Sequence, residues 1–208
     1  LDQKKFSIDH LDHVVMCSVV PTITPIFEHL CQYYLDMSPL VVDSDTDTGI
    51  TILYERPSDV GADRIVDAAA AMRLYGGPVI IVDIGTATVF DAVTEEGLYL
   101  GGAIAPGLAV AADSLFRSTS QLRRVGLRPP PKAIGTNTPH AMQSGLVFGY
   151  CELITGMIQR FKSELHGHTK VVATGGLVDV LEKEVKVFDI VNPDLTLQGL
   201  RIIYELNR

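Results

Sequence analysis

The chain is poor in cysteine, carries no cluster of lysine and arginine, and has no apolar run of membrane-spanning length. Each absence excludes something. Its three cysteines, Cys17, Cys31 and Cys151, stand far apart without metal-ligand spacing. That argues against a disulfide framework or a zinc site and reads as reduced thiols of a cytoplasmic protein. With 17 basic against 25 acidic residues and a formal net charge of −8, nucleic acid is a poor main partner. No stretch approaches the ~20 apolar residues that cross a bilayer, and the opening Leu-Asp-Gln-Lys-Lys is not a signal peptide, so no membrane partner is expected. The chain also lacks an initial Met, and residues are expected to be missing at its front. What is there is ordinary for a globular protein. Hydrophobic residues make up 47% and charged ones 20% of 208 residues, enough for one large domain or two small ones with a real core.

Strand and helix signals alternate, which predicts an α/β protein with mixed sheets. An apolar run at 14–20 closes on Pro21. Thr24 as N-cap and Pro25 at the first helical position open a helix that reaches about Leu35. Short strands at 40–42 and 50–54 flank an acidic loop, and a helix follows over 62–75 with Ile65, Ala69 and Met72 on one face. Gly76-Gly77-Pro78 ends it and marks the expected domain boundary, dividing the chain into 1–77 and 78–208. A hairpin comes next, then a strand at 98–100, a glycine-rich loop at 101–107 and a helix over 108–118. Residues 121–137, with Pro129-Pro130-Pro131, read as a long irregular loop. One helix is expected from Pro139 to about Lys162, with Met142, Leu146, Gly149, Leu153 and Met157 on one stripe. Gly145 and Gly149 on it suggest close approach of another helix, of this chain or of a second subunit. A strand at 170–173, a turn at Thr174-Gly175-Gly176, a helix at 177–184, a strand at 186–191 and a helix at 195–206 complete the pattern.

The richest stretch is 79–93. A β-branched run ends in Asp83, turns through Gly85-Thr86-Ala87-Thr88 and re-enters a strand carrying Asp91. Glycine with two threonines aims backbone N–H groups and hydroxyls at one point, which suits a phosphate, and an acid at its mouth then needs a cation between them. The same residues also describe a plain hydroxyl-rich hairpin. Val60-Gly61-Ala62-Asp63-Arg64 sits where a loop enters a helix. Asp63 is either a first-turn acid favoured by the helix dipole or a base that holds a substrate hydroxyl. Arg64 is either a solvent-facing helix residue or a binder of an anionic group such as a carboxylate. Phosphoryl transfer suits the functional pair, because its loose transition state needs positioning and charge neutralisation more than a strong base.

Thr174-Gly175-Gly176 either lets a nucleotide approach the backbone or is a simple turn. Thr138 before Pro139 is placed as an N-cap, and a helix start also accepts an anion. Two look-alikes fail. The run from Asp43 begins like a calcium loop but has Thr48 where glycine is required and Tyr54 where the bidentate Glu belongs. His166-Gly167-His168 has no neighbouring cysteine or partnered histidine and reads as a surface turn.

These motifs occur together, and in order, in one family. Ser18-Val19-Val20-Pro21, Tyr54 with Pro57, Val60 through Arg64, Asp83 through Thr88, Gly101 through Leu108, Asn137-Thr138 with Gln143-Ser144-Gly145, and Thr174-Gly175-Gly176 resemble the bacterial type III pantothenate kinases. These belong to the acetate and sugar kinase/Hsp70/actin superfamily, and the resemblance covers essentially the whole chain. It implies two ribonuclease H-like domains with mixed sheets, the first truncated here. It also implies ATP-dependent phosphorylation of pantothenate to 4'-phosphopantothenate, the first step of coenzyme A synthesis, in a cytoplasmic homodimer whose substrate sites lie near the subunit interface. By this resemblance Asp63 is the catalytic base, and Tyr54, Gly61, Ala62, Arg64 and Thr138 join it in holding pantothenate. Thr86 contacts ATP, Asp83 ligates a monovalent cation (potassium or ammonium), and Mg²⁺ accompanies ATP. The family's opening Asp-x-Gly-Asn-Thr phosphate loop has no counterpart in the chain, so the 208 residues alone are expected to be feeble or inactive. Val89 and Thr136 are smaller departures. The alternative is a non-catalytic regulator similar to the Bvg accessory factors. An acetate or sugar kinase is disfavoured by Gly61 through Arg64 and by Asn137-Thr138.

Overall fold

A computed structural model of the chain describes residues 11–208; the reading of the first five residues lies outside them. The elements are β1 (Val15–Met16), α1 (Thr24–Leu35), β2 (Leu40–Val41), β3 (Thr51–Ile52), α2 (Ala62–Tyr75), β4 (Val79–Ile84), β5 (Ala87–Val93), β6 (Leu98–Pro106), α3 (Leu108–Ser118), α4 (Thr138–Gln143), α5 (Gly149–Glu164), β7 (Lys170–Thr174), α6 (Val178–Leu181), β8 (Ile190–Val191) and α7 (Leu195–Leu206). β1 and β2 form a small parallel pair. The main sheet has the order β3-β6-β5-β4-β7-β8, antiparallel through β6-β5-β4 and parallel elsewhere. This is the mixed α/β architecture.

The side-chain alternation of β4 explains the layering. Ile80, Val82 and Ile84 point into one core with Phe90, Ile154, Ile158 and Leu181, beneath α5 and α6. Val79 and Ile81 point into the other with Val93, Tyr99, Ile65, Ala68 and Leu195, beneath α2 and α7. Both faces are covered, so β4 is a continuous apolar run rather than an alternating one. The last residue of the second set is Asp83, and the same parity on β5 sends Asp91 to the α2 face. Two carboxylates are thereby directed toward the helix that begins with Asp63. The α2 helix is pressed against α7: a Cβ at Gly199 would stand 2.5 Å from the Val66 carbonyl oxygen. The main sheet draws β3 from before residue 77 and its other five strands from after it.

Helices α2, α3 and α7 have the expected limits. Elsewhere the structure corrects the sequence reading. Residues 101–106 are strand rather than loop, since Gly101 and Gly102 pair with Ala92 and Asp91 across a bulge. The long helix is interrupted by a π turn at Ser144–Phe148, which adds a residue to the inward face. Beyond it Val147, Cys151, Ile154 and Ile158 are buried, while Gly149 is exposed and Leu153 and Met157 are half-buried. Within this chain a Cβ at Gly145 or Gly149 would meet nothing within 4 Å, so among the described residues no helix of the same chain packs on them. Asn137, not Thr138, caps this helix, its Oδ1 accepting from the His140 N–H at 2.9 Å. Thr24 likewise lies inside α1, and no side chain caps that helix. The apolar runs at 14–20, 40–42, 50–54 and 186–191 yield strands of two residues each, because a strand extends only where a neighbour supplies ladder bonds. The helix expected over 177–184 is confined to Val178–Leu181.

Candidate active site

The start of α2 is built around a glycine. A Cβ at Gly61 would stand 2.6 Å from Asp63 Oδ1 and 3.2 Å from a Val19 methyl, so only a residue without one leaves the carboxylate its place. Asp63 is half-buried, and its Oδ1 accepts the Arg64 backbone N–H at 2.8 Å. Ala62 is buried behind it.

Arg64 does not lie beside Asp63 in solvent. It turns inward to Asp91, with Nη2–Oδ1 at 2.6 Å and Nε–Oδ1 at 3.1 Å. The Tyr99 hydroxyl donates to the same oxygen at 2.6 Å, and the guanidinium stands 5.9 Å from the Tyr99 ring centre. Arg64 is only 9% exposed and Asp91 only 3%. Burial opposes charge on both partners. For Asp91 it pushes the carboxyl up, while Arg64 and Tyr99 pull it back. For Arg64, burial is outweighed by the hydrogen bond and charge of Asp91, and the guanidinium holds its proton above the usual arginine range. At 2.6 Å the pair is ionised. Sequence reading missed Asp91 and Tyr99 as members of the site. The available signal was an aspartate interrupting the otherwise apolar strand Val89-Phe90-Asp91-Ala92-Val93.

Asp83 lies at the end of β4 between two glycine turns. Gly175, at φ +98°, packs so close that a Cβ there would collide with Asp83 Oδ1 and the Ile84 backbone. Gly107 packs as closely on the backbone of Gly85 and Thr86, and its N–H donates to the Thr86 carbonyl at 3.0 Å. The β4–β5 turn is therefore held on both sides, leaving Thr86 exposed at its tip. Burial pushes Asp83 up to about 6, and the charges of Asp63 and Asp91 add to this. Among the described residues no ion pair neutralises it, and no three His, Cys, Asp or Glu side chains converge as a metal centre. A half-buried carboxylate with negative neighbours and no basic partner suits a bound cation.

Asp67, one turn beyond Asp63, was also missed. It is 3% exposed and accepts from Thr196 Oγ1 of α7 at 2.6 Å. Burial pushes it up to about 7, against the Thr196 bond and reinforced by Asp83, Asp63 and Asp91. The folded protein thus binds a proton that the unfolded chain has released, over the window from about 4 to about 7. Stability from this group is present below that window and falls as pH rises through it. Asp67→Asn keeps an acceptor for Thr196 and removes the charge. It should flatten the decline and gain about 1–2 kcal/mol at pH 8, read by urea unfolding at pH 4 and pH 8. An unchanged pH slope would count against the buried acid.

Tyr54 is half-buried against Gly101, whose Cβ would stand 3.1 Å from its ring. With Leu53, Glu55, Arg56, Asp59 and Leu100 it lines a cleft of about 370 Å³. Thr138 is exposed at the start of α4, and no hydrogen bond among the described residues joins it to Asp63 or Tyr54. The structure thus brings Asp63, Arg64 and Asp83 to one face of the sheet.

The sequence profile of the type III pantothenate kinases matches residues 1–160. The chain belongs to that family. A type III pantothenate kinase of Dehalococcoides mccartyi is 50% identical over 200 residues, 96% of this chain and 78% of the relative. That of Roseiflexus castenholzii is 48% identical over 199 residues, again 96% and 78%. Among solved structures, a Baf family protein of Campylobacter jejuni aligns over 99% of this chain and 87% of its own, with a TM-score of 0.64 and 22% identity. That likeness establishes the shared fold. Within the type III pantothenate kinase family, then, this chain is an α/β member with a mixed six-stranded sheet and an acid-rich face.

Proposed function

We propose that the chain transfers the γ-phosphoryl group of ATP to the primary hydroxyl of pantothenate, giving 4'-phosphopantothenate and ADP, the first step of coenzyme A synthesis. The observation that carries this reading is Asp63, fixed at the start of α2 by Gly61 and facing the side of the sheet where Asp83 and the β4–β5 turn lie. In this mechanism the Asp63 carboxylate accepts a hydrogen bond from the pantothenate hydroxyl. The hydroxyl oxygen attacks the γ-phosphorus, the bond to the ADP oxygen breaks with its electron pair staying on ADP, and the hydroxyl proton passes to the Asp63 carboxylate as the new O–P bond forms. Gly61, Ala62, Tyr54, Arg64 and Thr138 hold pantothenate. Thr86 and the backbone N–H groups of its turn hold ATP, which brings Mg²⁺ with it.

A monovalent cation, potassium or ammonium, fits beside Asp83. It would supply the positive charge that lets that carboxylate stand next to phosphate. The wider assignment to two ribonuclease H-like domains of the acetate and sugar kinase/Hsp70/actin type, divided at residue 77, is part of the proposal. So are a homodimer and a cytoplasmic location. The family membership, at 50% identity to a named type III pantothenate kinase, supports the reaction.

The test is pantothenate-dependent ADP formation by the full-length protein. Acetate or a hexose replacing pantothenate as acceptor would overturn the reading. Asp83→Ala should abolish stimulation by potassium, measured by titrating KCl against a constant ionic strength held with a bulky cation. Stimulation that persists in this variant would remove the cation from Asp83.

A further inference from the structure

The Arg64–Asp91–Tyr99 contact has the form of a support rather than of a free binding group. Asp91 Oδ1 receives Nη2, Nε and the Tyr99 hydroxyl, at 2.6, 3.1 and 2.6 Å. This fixes one edge of the guanidinium plane, because a fork of donors on one carboxylate sets orientation as well as position. Gly102 closes the arrangement from behind: a Cβ there would stand 2.6 Å from Asp91 Oδ1 and 2.9 Å from Arg64 Nη2. The remaining nitrogen, Nη1, makes no hydrogen bond among the described residues. Tyr54 approaches the same guanidinium and helps to keep it charged. Tyr54 also packs on Gly101 and lines the 370 Å³ cleft.

We propose that Asp91 and Tyr99 are positioning residues for substrate recognition, holding Arg64 by Nε and Nη2 so that its Nη1 edge meets the carboxylate of pantothenate. The inference rests on the reading of Arg64 as a pantothenate-binding residue. Neither Asp91 nor Tyr99 touches the substrate; both act through Arg64. An arginine without this support would sample several rotamers, and the substrate would have to select one of them on binding. Because the carboxylate end stays bound in the same way before and during phosphoryl transfer, loss of the support weakens binding uniformly. It raises KM and leaves kcat nearly unaltered.

The test uses the full-length protein and two ligands, pantothenate and its alcohol analogue in which the carboxylate is replaced by a primary alcohol. Tyr99→Phe keeps the ring and removes only the hydroxyl. It should raise KM for pantothenate by about 3- to 10-fold, with kcat within about twofold of wild type. KM for ATP and KM for the alcohol analogue should not move. A structural defect would shift both acceptors alike, so an equal rise for pantothenate and the analogue overturns the proposal. An unchanged KM for pantothenate does so too. Asp91→Asn should show the same selectivity with a larger rise, about 10- to 100-fold. Direct titration of wild-type protein with pantothenate separates the two levels of inference. Wild-type binding with unaffected variants overturns the positioning role alone, whereas no binding by wild type overturns that role together with the reading of the site.

Discussion

Asp63→Asn lowers turnover by about 10²- to 10⁴-fold, the usual contribution of a positioned base, without loss of folded protein. The substitution is nearly isosteric. Asparagine Oδ1 still accepts the Arg64 backbone N–H, so the first turn of α2 is preserved. What disappears is the capacity to take a proton and one negative charge on a face that already holds Asp67, Asp83 and Asp91. The charge of Asp63 raises all three of these carboxyls. Removing it relieves like-charge repulsion, so the variant should melt at the wild-type temperature or slightly above. A fall in kcat accompanied by unchanged or higher stability cannot be ascribed to unfolding. Steady-state kcat with saturating ATP and pantothenate, beside a thermal melt, makes the measurement. Turnover within about threefold of wild type would remove Asp63 from the role of base.

How much of this was legible in the sequence depended on range. The turn at Gly85 to Thr88, the start of α2 at Ala62 and the ends of α3 and α7 are local features, and composition specifies them. The role of Arg64 is not local. Next to Asp63 in sequence, it reads as that residue's partner, but its guanidinium bonds Asp91, 27 residues on, because β5 parity turns Asp91 toward α2. Gly101 and Gly102 suggest a loop for the same reason. Glycine is the usual mark of a turn, yet here it lets β6 lie close to β5 and leaves room for the ion pair. The helix stripe from Met142 is correct through Leu146 and fails after the π turn, which no 3.6-residue period anticipates. Thr138 illustrates a different failure. Threonine before proline is a good cap, but Asn137 one residue earlier is at least as good, and the structure uses it.

Asp91→Ala should destabilise the fold by about 3–5 kcal/mol, the range for a buried pair that loses one member. The attraction lost is only part of the cause. Arg64 stays in the α2 interior with its Nε and Nη2 unpaired, and the Tyr99 hydroxyl loses its acceptor as well. If the unpaired charge is the main cause, removing it should restore stability. The double variant Arg64→Met/Asp91→Leu, of similar volume and without charge, is therefore expected to recover most of the loss and to approach wild type in urea unfolding. It should not recover pantothenate binding. That outcome would separate the two roles of the contact. The fold at this point needs a filled and neutral interior, which hydrophobic side chains supply equally well. Recognition of a carboxylate needs a charged arginine held in one orientation. A double variant as unstable as Asp91→Ala would instead show that the attraction itself holds α2 to β5.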